Sequence, residues 1–323
     1  MKWIVVTSAL VLAGCSGPLS ALDPAGRGAQ RIAELFWGMS LGALIIWMAV
    51  VSLTIYAIVV RPGAHRPSVG AWFILGGGAI FPTIVLAGLL TYGLALMPEL
   101  LQPAPEGSMT IAVSGEQWWW RIRYRTPNGT VDLANEIRLP VGEPVTFHLE
   151  SPDVIHALWI PVLGGKMDMI PGRTNRLTLE PIRTGVFRGV CAEYCGTSHA
   201  LMRFDVVVME KADFDAWLTH QQAVAQPPLQ PLVRHGQELF LANGCGACHT
   251  VRGTPADGVV GPDLTHVGSR LSLGAGILPN DPESFLTWMA RTAQVKPGVH
   301  MPAFGMLPQE DLKALATYLD ALQ

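Results

Sequence analysis

Residues 191 to 202 read Cys-Ala-Glu-Tyr-Cys-Gly-Thr-Ser-His-Ala-Leu-Met. Cys191, Cys195, His199 and Met202 put two thiols, an imidazole and a thioether into one turn-sized segment. Thiolate and thioether are soft donors, and imidazole suits both copper and zinc. Zinc is satisfied by Cys, Cys, His and one further ligand, whereas a weak axial Met is a copper habit. A second imidazole is needed upstream. His156, just before an expected strand, supplies it, while its rival His148 sits inside one. A second signature follows at Cys245, Gly246, Ala247, Cys248 and His249. That is the attachment pattern of c-type haem, with two thiols for the macrocycle and an imidazole for the iron. Copper and covalent haem both carry single electrons. Disulfide pairing is the weaker reading, because each cysteine pair has a His at ligand spacing.

The rest of the chain must position these two clusters. Of the five cysteines, the fifth, Cys15, ends Leu-Ala-Gly-Cys after a short apolar run. Residues 1 to 14 read as a signal peptide of lipoprotein type, with Cys15 the lipidated residue. Half of the 323 residues are hydrophobic and only 15% are charged, which points to membrane-embedded sequence. The net charge of −3 gives no reason to expect nucleic acid as a partner. Within an N-terminal segment, 15 to 107, the stretches 36 to 60 and 71 to 97 contain no charged residue. Each is long enough to cross a bilayer as a helix, which needs ~20 residues. Arg61 and Arg66 lie between them, and Arg27 and Arg31 precede the first, so loop charge is a weak vote on orientation. The signal peptide places both ends outside the cytoplasm. Pro82 is expected to kink the second span harmlessly, and Gly76, Gly77 and Gly78 would let a neighbouring membrane helix approach closely.

From 108 to 220 the texture is that of short strands: 110 to 113, 118 to 125, 144 to 150, 176 to 180, 186 to 190 and 204 to 209. Regular spacing and Pro/Gly punctuation suggest a sandwich or small barrel carrying the ligands on loops at one end. A short helix is expected over 212 to 220 and a linker over 221 to 230. Residues 231 to 323 read as an all-α module. Leu312, Leu315, Ala316 and Leu319 form an apolar stripe on its last helix, behind Pro308, Glu310 and Asp311.

The segment 191 to 202 closely resembles the dinuclear copper A centre of cytochrome c oxidase subunit II. So do its neighbours: Gly115 to Trp120, Asp153 to His156, and Asp168 to Arg173. The resemblance implies a multidomain membrane protein with a two-helix transmembrane hairpin and a cupredoxin-like β-sandwich. It implies that Cys191 and Cys195 bridge two coppers, with His156 and His199 terminal on one each. Met202 would be a weak axial ligand on one copper and the Glu193 carbonyl on the other. The Glu193 side chain would reach a magnesium or manganese ion at the border with subunit I. Trp118 resembles the electron-entry residue of the family, leaving packing to Trp119 or Trp120. Behind this domain, residues 231 to 323 resemble class I cytochrome c, an all-α domain in which Met301, before Pro302, is the sixth iron ligand. Met306 is the nearby alternative, and His266 could touch a haem edge without a motif behind it. A His/Met pair raises the haem potential.

The whole resembles subunit II of a bacterial haem–copper oxidase with a cytochrome c domain fused to its C-terminus. That implies a two-pass protein of the bacterial plasma membrane with both redox domains on the outer side, and partners in subunits I and III. The donor would be a cytochrome c or a quinol–cytochrome c reductase. Rival readings are the copper subunit of a nitric oxide reductase and a stand-alone membrane-anchored electron carrier. Two features depart from the family pattern. Leu75 stands where a Glu is often found near a proton pathway. The tryptophan strand continues into Arg121, Arg123 and Arg125, where acidic residues are usual. The fused module is expected to take the place of a soluble docking partner there, with Arg123 influencing transfer from haem to copper.

Overall fold

The computed structural model describes residues 16–60, 63, 67–127 and 129–323. The expected signal peptide, Cys15, Arg61, Arg66 and Asn128 lie outside the described residues. Two units are distinguished, residues 31–103 and the remainder.

In the first unit, helix α1 (Arg27–Ile55) begins among the residues preceding it and runs on through a π-turn at Tyr56–Val60. A second helical run consists of α2 (Pro67–Leu75), a π-turn (Gly76–Ile80) and α3 (Phe81–Leu101). The runs Arg27–Val60 and Ser68–Leu101 are 34 residues each, about 50 Å at 1.5 Å per residue, more than a hydrocarbon core of about 30 Å requires. They extend beyond the charge-free stretches because the flanking charges are accommodated. Arg31 pairs with Glu99 at 2.9 Å, which joins the start of one run to the end of the other. Pro82 follows directly on the π-turn, where the Phe81 N–H donates to the Gly76 carbonyl. The wider turn meets a residue that has no N–H of its own to give. Hydroxyls inside the runs are satisfied by their own helices, Thr54 on the Val50 carbonyl and Thr91 on the Ala87 carbonyl, each at 2.8 Å. The apolar side chains, Trp47 and Trp72 among them, are exposed on these helices. Such faces suit lipid or neighbouring membrane helices.

The second unit holds a sandwich of two five-stranded sheets. One runs in the order β3 (Gly129–Ala134), β2 (Trp119–Thr126), β1 (Met109–Glu116), β5 (Val145–Glu150), β8 (Asn175–Leu179). The other runs β4 (Glu136–Pro140), β10 (Arg203–Met209), β9 (Gly185–Cys191), β6 (His156–Trp159), β7 (Met167–Met169). Pairing is antiparallel except for β1 with β5 and β10 with β4. Alternation along the strands drives the layers together: in β2, Trp120, Ile122 and Tyr124 point into the core while Arg123 and Arg125 face water. Strands β3, β4 and β7 go beyond the strands legible in the sequence, whereas β6 is the strand expected at His156. Those three are short, and β4 is buried along most of its length without alternation. Helix α4 (Lys211–Gln221) closes one end, with Phe214 buried and Trp217 against Tyr124.

Residues 222–230 have no regular structure, yet they lie fixed on the module that follows. The Ala225 N–H donates to the Arg252 carbonyl at 2.9 Å, and Arg252 donates back to the Gln221 and Gln222 carbonyls. Helices α5 (Pro231–Ala242), α6 (Pro282–Val295) and α7 (Gln309–Asp320) then pack around their own core. Gly236 lets α5 approach α7 closely: a Cβ there would lie 2.2 Å from the Ala314 carbonyl oxygen.

Candidate metal centre

The end of β9, the loop after it and the start of β6 converge. Cys191 closes β9, His156 opens β6, and His199 sits in a 3-10 turn (His199–Leu201) ahead of Met202. The Cys191 and Cys195 sulfurs are 3.8 Å apart. His156 Nδ1 lies 3.8 Å from Cys191 Sγ, and His199 Nδ1 lies 3.5 Å from Cys195 Sγ. Met202 Sδ is 3.8 Å from Cys195 Sγ, and the Glu193 carbonyl oxygen is 3.2 Å from Cys191 Sγ. Every side chain assigned to this cluster from the sequence is brought to it, with the Glu193 carbonyl. Cys191, Cys195, His156 and Met202 are buried. The rival His148 stays in β5, opposite Arg176.

The electrostatics favour a cation. The Cys191 thiol is pushed well below the usual thiol range, first by the hydrogen bond shared with Cys195, against the cost of burial, and then by His156. Cys195 is pushed up by that same bond, by burial and by the charge on Cys191. Two buried sulfurs share a proton that a bound metal would displace. Soft sulfurs, two imidazoles and a thioether within this reach fit copper.

Asp153 is a residue to which no role was given from the sequence. Its Oδ1 accepts from His156 Nε2 at 2.8 Å, which turns the Nδ1 lone pair toward the sulfurs. Burial acts to raise its carboxyl, but the Val154 N–H, His156 and the Gln117 N–H outweigh burial and hold it below the usual range. For His156, burial lowers the affinity for a proton, while Cys191 and Asp153 raise it and prevail. The signal was present as an acidic residue three positions before a ligand histidine.

The Glu193 side chain is half exposed, 3.4 Å from Lys166, which also pairs with Asp168.

The second cluster lines a cavity of about 680 Å³ in the helical module. Cys245, Cys248, His249 and Met301 all face it, whereas Met306 is 77% exposed and does not. His249 Nδ1–H donates to the Pro262 carbonyl at 2.8 Å, leaving Nε2 free as a ligand. Burial keeps this imidazole neutral by lowering its proton affinity. Thr292 Oγ1 donates to the Met301 carbonyl at 3.1 Å and fixes that segment against α6. A largely apolar space with two thiols, one free imidazole nitrogen and a thioether fits haem c. His266 is not on this wall; its nitrogens face the Gln323 and Ala223 carbonyls.

One wall of the cavity belongs to the β-sandwich: Gln117, Trp118, Trp119 and Asn135. The indole of Trp118 donates to the Cys195 carbonyl at 3.0 Å, and Gln117 donates to the same oxygen at 2.8 Å. Trp118 is gripped by two glycines. Gly196 of the Cys195–His199 loop has φ +114°, and a Cβ there would come within 3.1 Å of the indole. Gly298 of the helical module has φ +80°, and a Cβ would come within 2.7 Å. Of the other two tryptophans, Trp120 packs edge-on against Phe204 in the core, while Trp119 carries the Arg121 guanidinium 4.6 Å over its ring. Arg121, not Arg123, touches the helical module: it donates to the Val259 and Val260 carbonyls at 3.1 and 3.0 Å. Arg123 is spent on Asp132 of the adjacent strand at 2.6 Å. Further bonds join Leu271 N to Glu136 at 2.7 Å and Ser272 to Asp205 at 2.5 Å.

Residues 126–211 match the family of the cytochrome c oxidase subunit II periplasmic domain, and residues 233–323 match cytochrome c. The chain is 36% identical to cytochrome c oxidase subunit 2 of Alkalihalophilus pseudofirmus, over 97% of this chain and 94% of that protein. It is 31% identical to cytochrome c oxidase subunit 2 of Bacillus sp. strain PS3, over 98% and 95%. Among solved structures, the periplasmic domain of subunit II of cytochrome oxidase (CoxB) of Bradyrhizobium japonicum is 32% identical. It covers 37% of this chain and 97% of its own, with a TM-score of 0.35. With a copper A type His/Cys/Cys/Met site in a β-sandwich, two apolar helices before it and a cytochrome c domain after it, the chain belongs to the cytochrome c oxidase subunit II family.

Proposed function

We propose that this chain passes electrons from an outside donor, through haem c, to a dinuclear copper centre and on to the haem of subunit I, where oxygen is reduced. The donor class is a cytochrome c or a quinol–cytochrome c reductase. The membrane partners are subunits I and III, seated on the bare apolar faces of the two helical runs. Haem c held by Cys245, Cys248, His249 and Met301, and two coppers held by His156, Cys191, Cys195, His199, Met202 and the Glu193 carbonyl, supply one-electron chemistry with little rearrangement.

The observation that carries this reading is the shared wall. Trp118 lines the haem cavity on one side and bonds the carbonyl of Cys195 on the other. Its indole is the electron-entry group between the two sites. Trp118 is only 7% exposed, so the helical module covers this ring and excludes water from the crossing. Asp153 and Pro262 hold the ligand imidazoles in one tautomer each, His156 through Nε2–H and His249 through Nδ1–H. The two apolar helical runs and the family of the β-sandwich support a plasma-membrane protein with both redox domains on the outer side. The half-exposed Glu193 carboxylate, with Asp168 across Lys166, is an oxygen ligand for magnesium or manganese at the subunit I border, since hard cations take carboxylates.

The test is purification of the complex with metal analysis, optical spectra and gas consumption. Two coppers per haem c and consumption of oxygen are expected. Zinc at the cysteines, or consumption of nitric oxide in place of oxygen, would refute the proposal.

A further inference from the structure

Lys296 is a cation in a place that cations avoid. It follows α6, leads into the loop that ends at Met301, and is 2% exposed. Its ammonium donates to the Trp118 carbonyl at 2.5 Å and to the Gly274 carbonyl at 3.0 Å. No carboxylate pairs with it among the described residues, although a buried charge normally demands a partner. Burial pushes this ammonium down to about 7, against the pull of the Cys195 sulfur. The residues beside it complete a clasp. The Pro297 carbonyl accepts from Ser198 Oγ at 2.6 Å, and Gly298 lies against the Trp118 ring. One short loop therefore reaches from the sixth-ligand residue of the haem cavity to the electron-entry ring and to the neighbour of His199.

We propose that Lys296 sets the division of the electron between the two sites: held on the carbonyl of Trp118, whose indole bonds the Cys195 carbonyl, it is both the clasp that seats this loop and, when protonated, a positive charge on the seam between the two sites. This rests on the functional reading above. One electron leaves the haem side and arrives on the copper side, so the copper site gains one negative charge. When protonated, an ammonium held in a medium of low dielectric favours the electron-rich form of the site it acts on more strongly, and Lys296 lines the haem cavity while holding Trp118, so its removal changes the balance between the two sites. Neutral interface bonds such as Ser272 to Asp205 seat the module without that bias.

The test uses the intact oxidase complex, with metal and haem content measured before potentials. Lys296→Met keeps most of the length of the side chain and removes its charge and donors. Spectroelectrochemical titration below pH 7, where the ammonium is charged, is expected to show the division of the electron between the copper site and haem c moving by about tenfold, or 59 mV for a one-electron couple. Transfer between them after photoreduction should slow. Lys296→Arg should restore most of the gap, and Ser272→Ala should move neither potential. An unchanged gap in Lys296→Met overturns the proposal, as does an equal shift in Ser272→Ala. If the Met variant fails to assemble, Lys296→Gln carries the same test, and an unchanged gap there is equally fatal. Wild-type complex without two coppers per haem would instead sink the functional reading itself.

Discussion

The copper and haem sites solve the same task in opposite ways. The copper donors stand within bonding reach of one another on a finished β-sandwich, with buried sulfurs and an aspartate aiming one imidazole. The haem donors stand around a cavity of about 680 Å³ that three short helices enclose and the neighbouring domain completes. The sandwich fills its core with its own side chains, whereas core residues of the helical module, Phe240, Phe285 and Leu315 among them, line the cavity.

The largest effect that could break this contrast comes from removing haem attachment. Emptying a far smaller volume by one Leu→Ala change in a core already costs roughly 2–5 kcal/mol, a large part of the 5–15 kcal/mol that typically holds a domain together. The double variant Cys245→Ala, Cys248→Ala is expected to lose its c-type absorption. Residues 231–323 should then become open to proteolysis, while the β-sandwich keeps its copper spectrum. A protease-resistant module without haem would show that the helices carry their own core.

A smaller effect is expected at the copper site, where the supporting residue can be removed without emptying the core. Asp153→Ala leaves His156 free to turn and deprives the Gln117 N–H of its 2.7 Å acceptor. Loss of such a partner costs roughly 10–100-fold in metal affinity. Copper titration monitored by absorption should show that loss, with circular dichroism unchanged. Unaltered affinity would mean that the strand alone fixes the imidazole.

The two sites also differ in how plainly the sequence displayed them. The run from Cys191 to Met202 falls in one turn-sized loop, so its donor chemistry is readable without knowing the fold. His156 is separated by 35 positions from Cys191, and only its place before an expected strand and the resemblance of the Asp153–His156 run set it apart from His148. The haem thiols and His249 are legible for the same local reason, whereas Met301 rests on the resemblance to class I cytochrome c. What stayed hidden depends on contacts over long separations. Lys296 reaches Trp118 across 178 positions, and its lone charge in the sequence gives no sign of burial. Strand β4 lacked alternation because both of its faces are covered, so period-two reasoning passed over it. The tryptophans were separable only in space: Trp120 enters the core, Trp119 faces the cavity and Trp118 spans the two sites.

The arginines of β2 sharpen the comparison at the seam where the regions meet. Alternation sends Arg121 and Arg123 to the same face, and the sequence pointed to Arg123 as the residue that touches electron transfer. The partners decide otherwise. Arg123 is neutralised by Asp132 within the sheet, while Arg121 bonds Glu116 and two carbonyls of the haem module, with its guanidinium over Trp119. Hydrogen bonds from a charged group are worth about 1.5–3 kcal/mol each at best, and solvent screening at this partly exposed site reduces that. Arg121→Gln is therefore expected to loosen the seam and slow haem-to-copper transfer by less than Lys296→Met, with haem and copper contents intact. Arg123→Gln should leave the rate as it was. Flash photoreduction of the three complexes side by side gives the order, and a slower Arg123 variant would return the docking role to the outer arginine.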